Sequence, residues 1–454
     1  MATLIIIIFA IGYLSITLEH NIKLDKLIPA LAMMAILWAL VALGIDGFPN
    51  WFDSGQHKLI DGFASFSSEE KHHLLDETLL HHLGKTAEIL FFLLGAMTIV
   101  EIIDYFDGFS TFKNYIKTKS KKKLLWIFAF LAFILSAIID NLTATIVLIT
   151  ILQKIIKDRN TRLWFAGLII IAANAGGAWS PIGDVTTTML WIGKKVSAGM
   201  LVKYLIIPSL LCIIVPVFIA SFLKPFQGDI DIVEGEKGSS SKYGPTMLYI
   251  GLSAIVFVPF FKTITHLPPY VGMMLSLSVV GVFAELYSRS EFSISHAVDQ
   301  EGDDSVGHHS PVHTSLAKIE MPSVLFFFGI LMAVAALESL GMLFIGAESL
   351  KTIIPNTDIV IMLLGIGSAV VDNVPLVAAS MGMFQEPMDS PLWHFVAFSA
   401  GTGGSMLIIG SAAGVVAMGM EKIDFFWYFK NIAWLAAIGF VIGSIAFLGM
   451  RAIL

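Results

Sequence analysis

Long apolar segments recur from one end of the chain to the other, and they limit its fold more than any other feature. Several approach 20 residues, the length at which an α-helix crosses the hydrocarbon core of a bilayer. In lipid, only helices and closed barrels satisfy their own backbone hydrogen bonds, and the short alternating segments of a barrel are not seen. With 56% hydrophobic and 14% charged residues, the chain is predicted to be an all-α polytopic membrane protein.

Two stretches place an Asp-Asn pair inside an apolar run: SAIIDNLTAT at 136–145 and SAVVDNVPLV at 368–377. An ionised carboxylate in such a segment is costly, so it is kept where it faces a cavity, a partner or an ion. A second interpretation stays open, in which the Asp-Asn pairs cap helices by accepting backbone N–H groups. Two copies in matching surroundings favour a repeated binding device.

The first Asp-Asn pair divides an apolar stretch that runs from about 124 to 156. Each arm of about 16 residues reaches roughly 24 Å as a helix, short of the ~30 Å hydrocarbon core. Both ends carry basic flanks, which are typical of the cytoplasmic side. We therefore predict a re-entrant hairpin at about 124–156, with Asp140 and Asn141 at its tip.

The next segment, at about 163–192, is predicted to be a broken helix. Its centre reads NAGGAWSPIGD from Asn174 to Asp184, where three glycines and a proline interrupt the apolar sequence. Unwound backbone is tolerated at membrane depth where it lines a cavity. The break is therefore expected to lie near the membrane midplane, together with the hairpin tip.

The second half of the chain repeats this plan in register. Forty-eight residues separate Glu88 from Ser136, and the same number separates Glu320 from Ser368. Each half is predicted to contain about five spans, one re-entrant hairpin and one broken helix. Because an odd number of crossings inserts the second half upside down, the halves form two inverted-topology repeats.

The predicted domain boundaries follow from this repeat. The first repeat covers 1–225, a linker rich in Gly, Ser and acids covers 226–244, and the second repeat covers 245–454. The second hairpin lies at about 358–385 and the second broken helix at about 392–420.

A polar segment from Ile45 to Lys85 carries five histidines. Their spacing lacks the tight ligand pattern of a zinc site, so we expect a solvated loop there. The single cysteine, Cys212, lies in an apolar run and leaves no disulfide framework and no thiolate metal site.

The polar residues at the two centres are rich in oxygen and include three acids, with no arginine or lysine. They are Ser136, Asp140, Asn141, Thr143, Asn174, Asp184 and Thr186 in the first half, and Ser368, Asp372, Asn373, Ser405 and Ser411 in the second. Hard cations take such oxygen ligands, whereas an anion needs a cation or helix N-termini beside it. Carboxylates that hold either protons or a metal cation exchange one for the other. We predict Na⁺ at Asp140, Asn141, Asp372 and Asn373.

The motifs SxxxDNxT, NAGGxxSPIGD and the second Asp-Asn pair closely resemble those of the NhaD-type sodium/proton antiporters of the ion transporter superfamily. The resemblance covers essentially the whole chain. It implies a bacterial inner-membrane antiporter that exports Na⁺ or Li⁺ against protons, with two inverted repeats, two hairpins and a homodimeric assembly. By resemblance the ion site contains Ser136, Asp140, Asn141, Asn174, Asp184, Thr186, Ser368, Asp372 and Asn373, and the acids needed for transport are Glu88 and Glu320.

The hairpin tips differ from those of the dicarboxylate carriers of the same superfamily, which read Ser-Asn-Thr. The tips here read DNLT from Asp140 and DNVP from Asp372, so an acid replaces a hydroxyl and favours a cation over a carboxylate substrate. Pro375 takes the place of the threonine in the second tip. We therefore expect the cation to lie closer to Asp140, with Asp372 contributing more to proton coupling.

Two other functions stay open beside Na⁺(Li⁺)/H⁺ exchange. One is a transporter of another substrate on the same fold, either an arsenite-type anion pump or a Na⁺-coupled carboxylate symporter. The other is an intramembrane enzyme with Asp140 and Asp372 as an aspartyl dyad, in which two hairpins and two helix breaks have no purpose. We expect a transporter and not an enzyme, with Na⁺, Li⁺, H⁺ and the lipid bilayer as partners, no cofactor and no nucleic acid.

Overall fold

The computed structural model describes residues 1–17, 22–53, 58–115, 118–230, 242–298, 310–370 and 373–453. Asp372 of the predicted ion site and His57 lie outside the described residues, as does most of the predicted linker. The statements below concern the described ranges.

The described chain consists almost entirely of helices. In chain order they are α1 Ala2–Thr17, α2 Leu27–Gly44, α3 Ser68–Tyr105, α4 Ser110–Tyr115, α5 Lys121–Ile139, α6 Asn141–Ile155, α7 Arg159–Ala178, α8 Val185–Ile192, α9 Ala198–Ala220, α10 Gly244–Thr265, α11 Pro269–Val298, α12 Pro311–Lys318, α13 Met321–Ser339, α14 Met342–Ile353, α15 Thr357–Gly367, α16 Asn373–Met383, α17 Pro391–Gly403, α18 Ala412–Glu421, α19 Phe425–Asn431 and α20 Ala433–Ile453. A short antiparallel ribbon pairs β1 Phe52–Asp53 with β2 Lys58–Leu59.

Nine helices within the described ranges are long and apolar enough to cross a membrane. They are α2, α3, α5, α7, α9, α10, α11, α13 and α20. Helix α7 is the most enclosed of them, with 89% of its apolar window buried, whereas the windows of α10 and α11 are 28% buried. The prediction of an all-helical, multi-pass membrane protein is confirmed, and α7 lies at its centre.

The expectation of a solvated loop from Ile45 to Lys85 was wrong for its second part. Helix α3 begins at Ser68 and continues for 38 residues, roughly 57 Å at the helical rise, so it is longer than the membrane is thick. Ser67 and Glu70 form a capping box at its start: the Ser67 N–H donates to Glu70 Oε2 (2.8 Å), and the Glu70 N–H donates to Ser67 Oγ (3.3 Å). Four of the five histidines therefore lie on this helix.

The helices pack in two groups. In the first group, α2 packs against α13, and α11 packs against α10 and α3. In the second group, α5 and α6 pack against α7, α15 packs against α17, and α9 packs against α20. Helix α18, from the second half of the chain, packs against α6 and α7 from the first half and so connects the helices of the second group.

Close backbone contacts fix each hairpin arm against the following broken helix. A Cβ atom at Gly176 of α7 would overlap the carbonyl oxygen of Phe133 in α5, and one at Gly403 of α17 would overlap the carbonyl oxygen of Gly365 in α15. Glycine is therefore required at both places by the approach of another backbone. The inverted relation of the halves and the proposed domain boundaries stay predictions.

Candidate functional site

Asp140 forms the turn between α5 and α6. Helix α5 ends at Ile139 and α6 begins at Asn141, with Asp140 between them at φ 79° and ψ 159°. This backbone conformation is strained for a residue other than glycine. The Asp140 carboxylate accepts hydrogen bonds from the Thr143 N–H (2.8 Å) and the Thr143 hydroxyl (2.9 Å). These are helix-capping hydrogen bonds, so the second interpretation of the Asp-Asn pairs, in which they cap helices, holds for Asp140 at this turn.

Asp184 lies at the break between α7 and α8 and receives side-chain amides from both halves of the chain. Its Oδ2 accepts N–H groups from Asn141 at 2.9 Å and from Asn373 at 3.2 Å. Its Oδ1 accepts the backbone N–H of Thr186 at 3.0 Å, which caps α8. This carboxylate, 2% exposed, is the point at which the two hairpins meet.

Amide hydrogen bonds extend the same network into the second helix break. The Asn141 amide donates to Asn174 Oδ1 at 3.0 Å, and the Asn174 amide donates to Ser411 Oγ at 2.9 Å. Ser411 also accepts the Gly414 N–H and so caps α18. All three side chains are buried, and their bonds join the first hairpin tip to both breaks.

Ser136 and Ser368, which were predicted as site residues, hold the hairpins in place. The Ser136 hydroxyl donates to the carbonyl of Ala173 at 2.6 Å, and the Ser368 hydroxyl donates to the carbonyl of Ala400 at 2.8 Å. Both hydroxyl groups are buried and tie a hairpin arm to the broken helix beside it. Their contacts fit a positioning role.

The hydroxyl groups of Thr186 and Ser405 differ in their hydrogen bonding. The Thr186 hydroxyl is buried and has no hydrogen-bond partner among the described residues. Such an orphaned oxygen is unfavourable unless another group binds it. The Ser405 hydroxyl donates to the Thr402 carbonyl at 2.6 Å, and the backbone carbonyl of Ser405 accepts a hydrogen bond from the Tyr428 hydroxyl at 2.7 Å.

A cavity of about 70 Å³ lies where these residues converge. Its polar lining is formed by Asp140, Asn141, Thr143, Asp184, Ser323, Asn373 and Lys26. Lys26 is also part of this lining, so the packed structure adds a basic residue to a set of motif residues that contains none. Lys26 precedes α2 and is far from the Asp-Asn motifs in sequence, so inspection of the motifs did not find it.

A larger cavity of about 390 Å³ adjoins the first and shares the lining residues Met97, Leu142 and Thr143 with it. Its charged lining consists of Glu101, Asp104, Asp107, Glu320, Lys154 and Lys318. Since Lys154 belongs to the basic flank of the first hairpin, this cavity lies on the predicted cytoplasmic side.

The two acids Glu88 and Glu320 occupy different surroundings. Glu320 lines the larger cavity, whereas Glu88 lines a shallow pocket with Lys85 and Tyr270. The two acids precede Ser136 and Ser368 by the same number of residues, and this equal spacing did not reveal the difference in their surroundings.

Among the described residues, no group of three or more His, Cys, Asp or Glu side chains is placed to hold a metal ion. From the described part of the chain, the small cavity has two carboxylates together with amide and hydroxyl groups as donors to an ion. Oxygen donors of this kind are the ligands that hard cations take.

Comparison with known proteins identifies the family. The CitMHS family, described as citrate transporter, matches residues 4–394. The chain belongs to this family. Two antiporters of Arabidopsis thaliana are similar to this CitMHS member over 98% of its length: sodium/proton antiporter 1 is 40% identical with 72% of its own length covered, and sodium/proton antiporter 2 is 36% identical with 99% covered.

A bacterial relative is also similar in sequence, and a solved structure is similar in fold. The Na⁺/H⁺ antiporter NhaD of Vibrio cholerae is 32% identical over 97% of this CitMHS chain and 90% of its own, so the resemblance to NhaD-type proteins is confirmed. The YdaH transporter of Alcanivorax borkumensis has the same fold, with a TM-score of 0.59 and 13% identity, covering 93% of this chain and 97% of that one. The family and these relatives are transporters, not enzymes.

Proposed function

We propose that this CitMHS member exchanges Na⁺, and also Li⁺, for H⁺ across the bacterial cytoplasmic membrane by alternating access. The observation that carries the proposal is the buried carboxylate of Asp184, which accepts amide N–H groups from the hairpins of both halves. Because the same carboxylate lines a small cavity with Asp140, the binding groups of both halves act on one ion.

The chemistry of the cavity favours a small cation. Carboxylate, amide and hydroxyl oxygens are the ligands of hard cations, and the lining of this cavity supplies all three kinds of group. The Asn141 and Asn373 amides donate their N–H groups to Asp184, and each asparagine keeps its side-chain oxygen, an acceptor that can bind the ion.

Proton exchange follows from the same carboxylates. A protonated Asp140 or Asp184 loses the negative charge that binds Na⁺, so the cavity holds protons or Na⁺ in alternation. The larger acidic cavity next to Thr143 offers Na⁺ a route from the cytoplasmic side. The names of the plant and Vibrio relatives support Na⁺ and H⁺ as the exchanged ions.

Everted membrane vesicles from a host without its own Na⁺/H⁺ antiporters test the proposal. After respiration has acidified the vesicle interior, Na⁺ or Li⁺ should release the stored protons, whereas choline should not. Asp140→Ala and Asp372→Ala should each abolish the signal, and the exposed control Asp61→Ala should keep it. Full activity in either site variant would contradict the site assignment, and no Na⁺ response in the unaltered protein would contradict the function.

A second candidate is a Na⁺-coupled carboxylate symporter, which the family description as citrate transporter favours. Organic ligands occupy pockets of about 300–1,000 Å³. The cavity of about 70 Å³ at the two Asp residues is much smaller and suits an ion. The adjoining cavity of about 390 Å³ is large enough for an organic ligand, but its four acids against two lysines, counted within the described residues, disfavour a carboxylate. Uptake of labelled citrate or succinate without Na⁺/H⁺ exchange would support this second function, and arsenite resistance would support an anion pump.

A further inference from the structure

Lys26 lies at the start of α2 and faces the cavity that contains Asp140 and Asp184. These three are the charged side chains of that lining within the described residues. The two acids belong to the hairpin and broken-helix group, whereas Lys26 belongs to the group formed by α2 and α13. A fixed positive charge is thus brought to the acids from a separate part of the fold.

The position of Lys26 does not serve its own helix. A positive charge at a helix N-terminus opposes the helix dipole, and the Lys26 side chain forms no capping bond. The neighbouring Asp25, which is exposed, accepts the Leu27 N–H at 2.8 Å instead. Helix stability therefore accounts for Asp25 and not for Lys26.

The Lys26 side chain is held towards the protein interior. Its Nζ lies 4.5 Å from the ring centre of Phe326, a fully buried residue of α13. A cation over an aromatic face is stabilised by the ring, more strongly away from water. Phe327, the next residue, lines the cavity itself. Lys26 is therefore not a lysine that extends to the lipid headgroups.

We propose that Lys26 is the built-in counter-cation of the ion site. Its ammonium group competes with Na⁺ and H⁺ for the carboxylates, which makes Lys26 a specificity-determining residue. This inference rests on the proposed exchange function. With the site empty, the ammonium group balances the negative charge of Asp140 and Asp184. Its repulsion weakens the binding of either transported cation, so a bound Na⁺ is released readily when protons arrive.

Neutral substitutions of Lys26 test this role in the exchange assay. Lys26→Gln and Lys26→Met should lower the KM for Na⁺ about tenfold at alkaline pH, where protons do not compete, because a repelling charge is gone. Protons also bind more tightly, so the pH profile of exchange should move by about one pH unit towards alkaline pH. Lys26→Arg keeps the charge, so its KM for Na⁺ and its pH profile should stay closer to those of the original protein than to those of the neutral variants. The exposed control Lys23→Gln should change neither.

A purely structural role predicts different results. It would lower the maximal rate or the yield of folded protein while the KM and the pH profile stayed unchanged in both neutral variants, and that outcome would overturn the proposal. If a variant is inactive, Na⁺-dependent thermal stabilisation of the purified protein, with choline as the reference, reports binding directly. Stabilisation at lower Na⁺ concentration in Lys26→Met supports the proposal, and an unchanged concentration contradicts it. Failure of the exchange function itself would be seen in the unaltered protein, which would then neither exchange nor bind Na⁺.

Discussion

The side-chain amide of Asn373 lies 3.2 Å from Oδ2 of Asp184, so the second hairpin contacts the helix break of the first half directly. Asn141 of the first hairpin donates to the same oxygen at 2.9 Å. Two asparagines from matching motifs thus converge on one carboxylate. Each of these Asn side chains holds the Asp184 carboxylate through an N–H hydrogen bond, and all three residues line the small cavity.

Removal of either asparagine amide should weaken Na⁺ binding. Asn373→Ala removes one side-chain donor from Asp184, and we expect about a tenfold higher KM for Na⁺, from a loss of roughly 1–2 kcal/mol. Asn141→Ala should cost more, because Asn141 also donates to Asn174. Na⁺ titration of exchange in vesicles measures both. The exposed Asn160→Ala is the control, and an equal KM in all three variants would contradict this role.

Substitution of Gly176 should destabilise the contact between α5 and α7. A methyl group there overlaps the Phe133 carbonyl, and overpacking of this kind typically costs about 1–3 kcal/mol. Gly419→Ala is a matched control, since a Cβ there meets no atom within 4 Å. Thermal unfolding in detergent should show a lower Tm for Gly176→Ala only. Equal Tm values would show that the helices separate easily at this point.

The buried ion pair between Arg162 and Glu421 should be essential for stability. Arg162 Nε donates to both carboxylate oxygens of Glu421 at 2.9 and 3.1 Å, and Nη1 donates to the carbonyls of Ile156 and Lys157. Glu421 is 3% exposed, so Glu421→Gln leaves the positive charge of Arg162 without its partner carboxylate. The substitution should lower the free energy of unfolding by about 3 kcal/mol.

The control for this ion pair is the exposed Glu77, whose pair with His73 lies at the surface. Glu77→Gln should change the Tm little, because exposed pairs contribute about 0–1 kcal/mol. Chemical unfolding of both variants in the same detergent measures the difference. A Glu421→Gln protein as stable as the Glu77→Gln protein would refute the prediction.

Asp158, which caps α7 outside the membrane, should make stability depend on acid pH. Hydrogen bonds from the side chain and backbone N–H of Thr161 lower the pKa of the Asp158 carboxyl. A lowered pKa in the folded state means that the contribution is complete above the unfolded value of about 4 and is lost as the pH falls through the folded value. Asp158→Asn still caps the helix and should remove this part of the acid dependence. Tm values compared between pH 3 and pH 6 test it, and parallel pH curves for both proteins would refute it.

The sequence predicted those features that depend on local pattern. The spans follow from apolar length, and the turn at Asp140 and the break before Asp184 follow from polar residues and glycines within apolar runs. The proximity of Asn141 and Asn373 to one acid depends on how distant helices pack, which a motif alone does not contain. Asp372 lies outside the described residues, so its predicted part in proton coupling stays a prediction.

Other features were missed for identifiable reasons. The start of α3 is marked by the capping box of Ser67 and Glu70, a signal that was present but was hidden by the polar composition of the segment. Lys26, at the start of α2, and the acids Glu101 and Asp104 of α3 line the cavities from helices that carry no motif. Their role depends on tertiary packing and is visible only once the fold is known.

Proton release from proteoliposomes tests the central claim most directly. Purified protein is reconstituted with an acidic interior, and a pH-sensitive dye records the interior pH when external Na⁺ is added. We expect rapid alkalinisation with the unaltered protein and with Asp61→Asn. Asp184→Asn keeps the size of the side chain but removes the charge, and it should slow exchange by about two orders of magnitude. Undiminished Na⁺-driven alkalinisation by Asp184→Asn would contradict the claim that this carboxylate binds the transported ion.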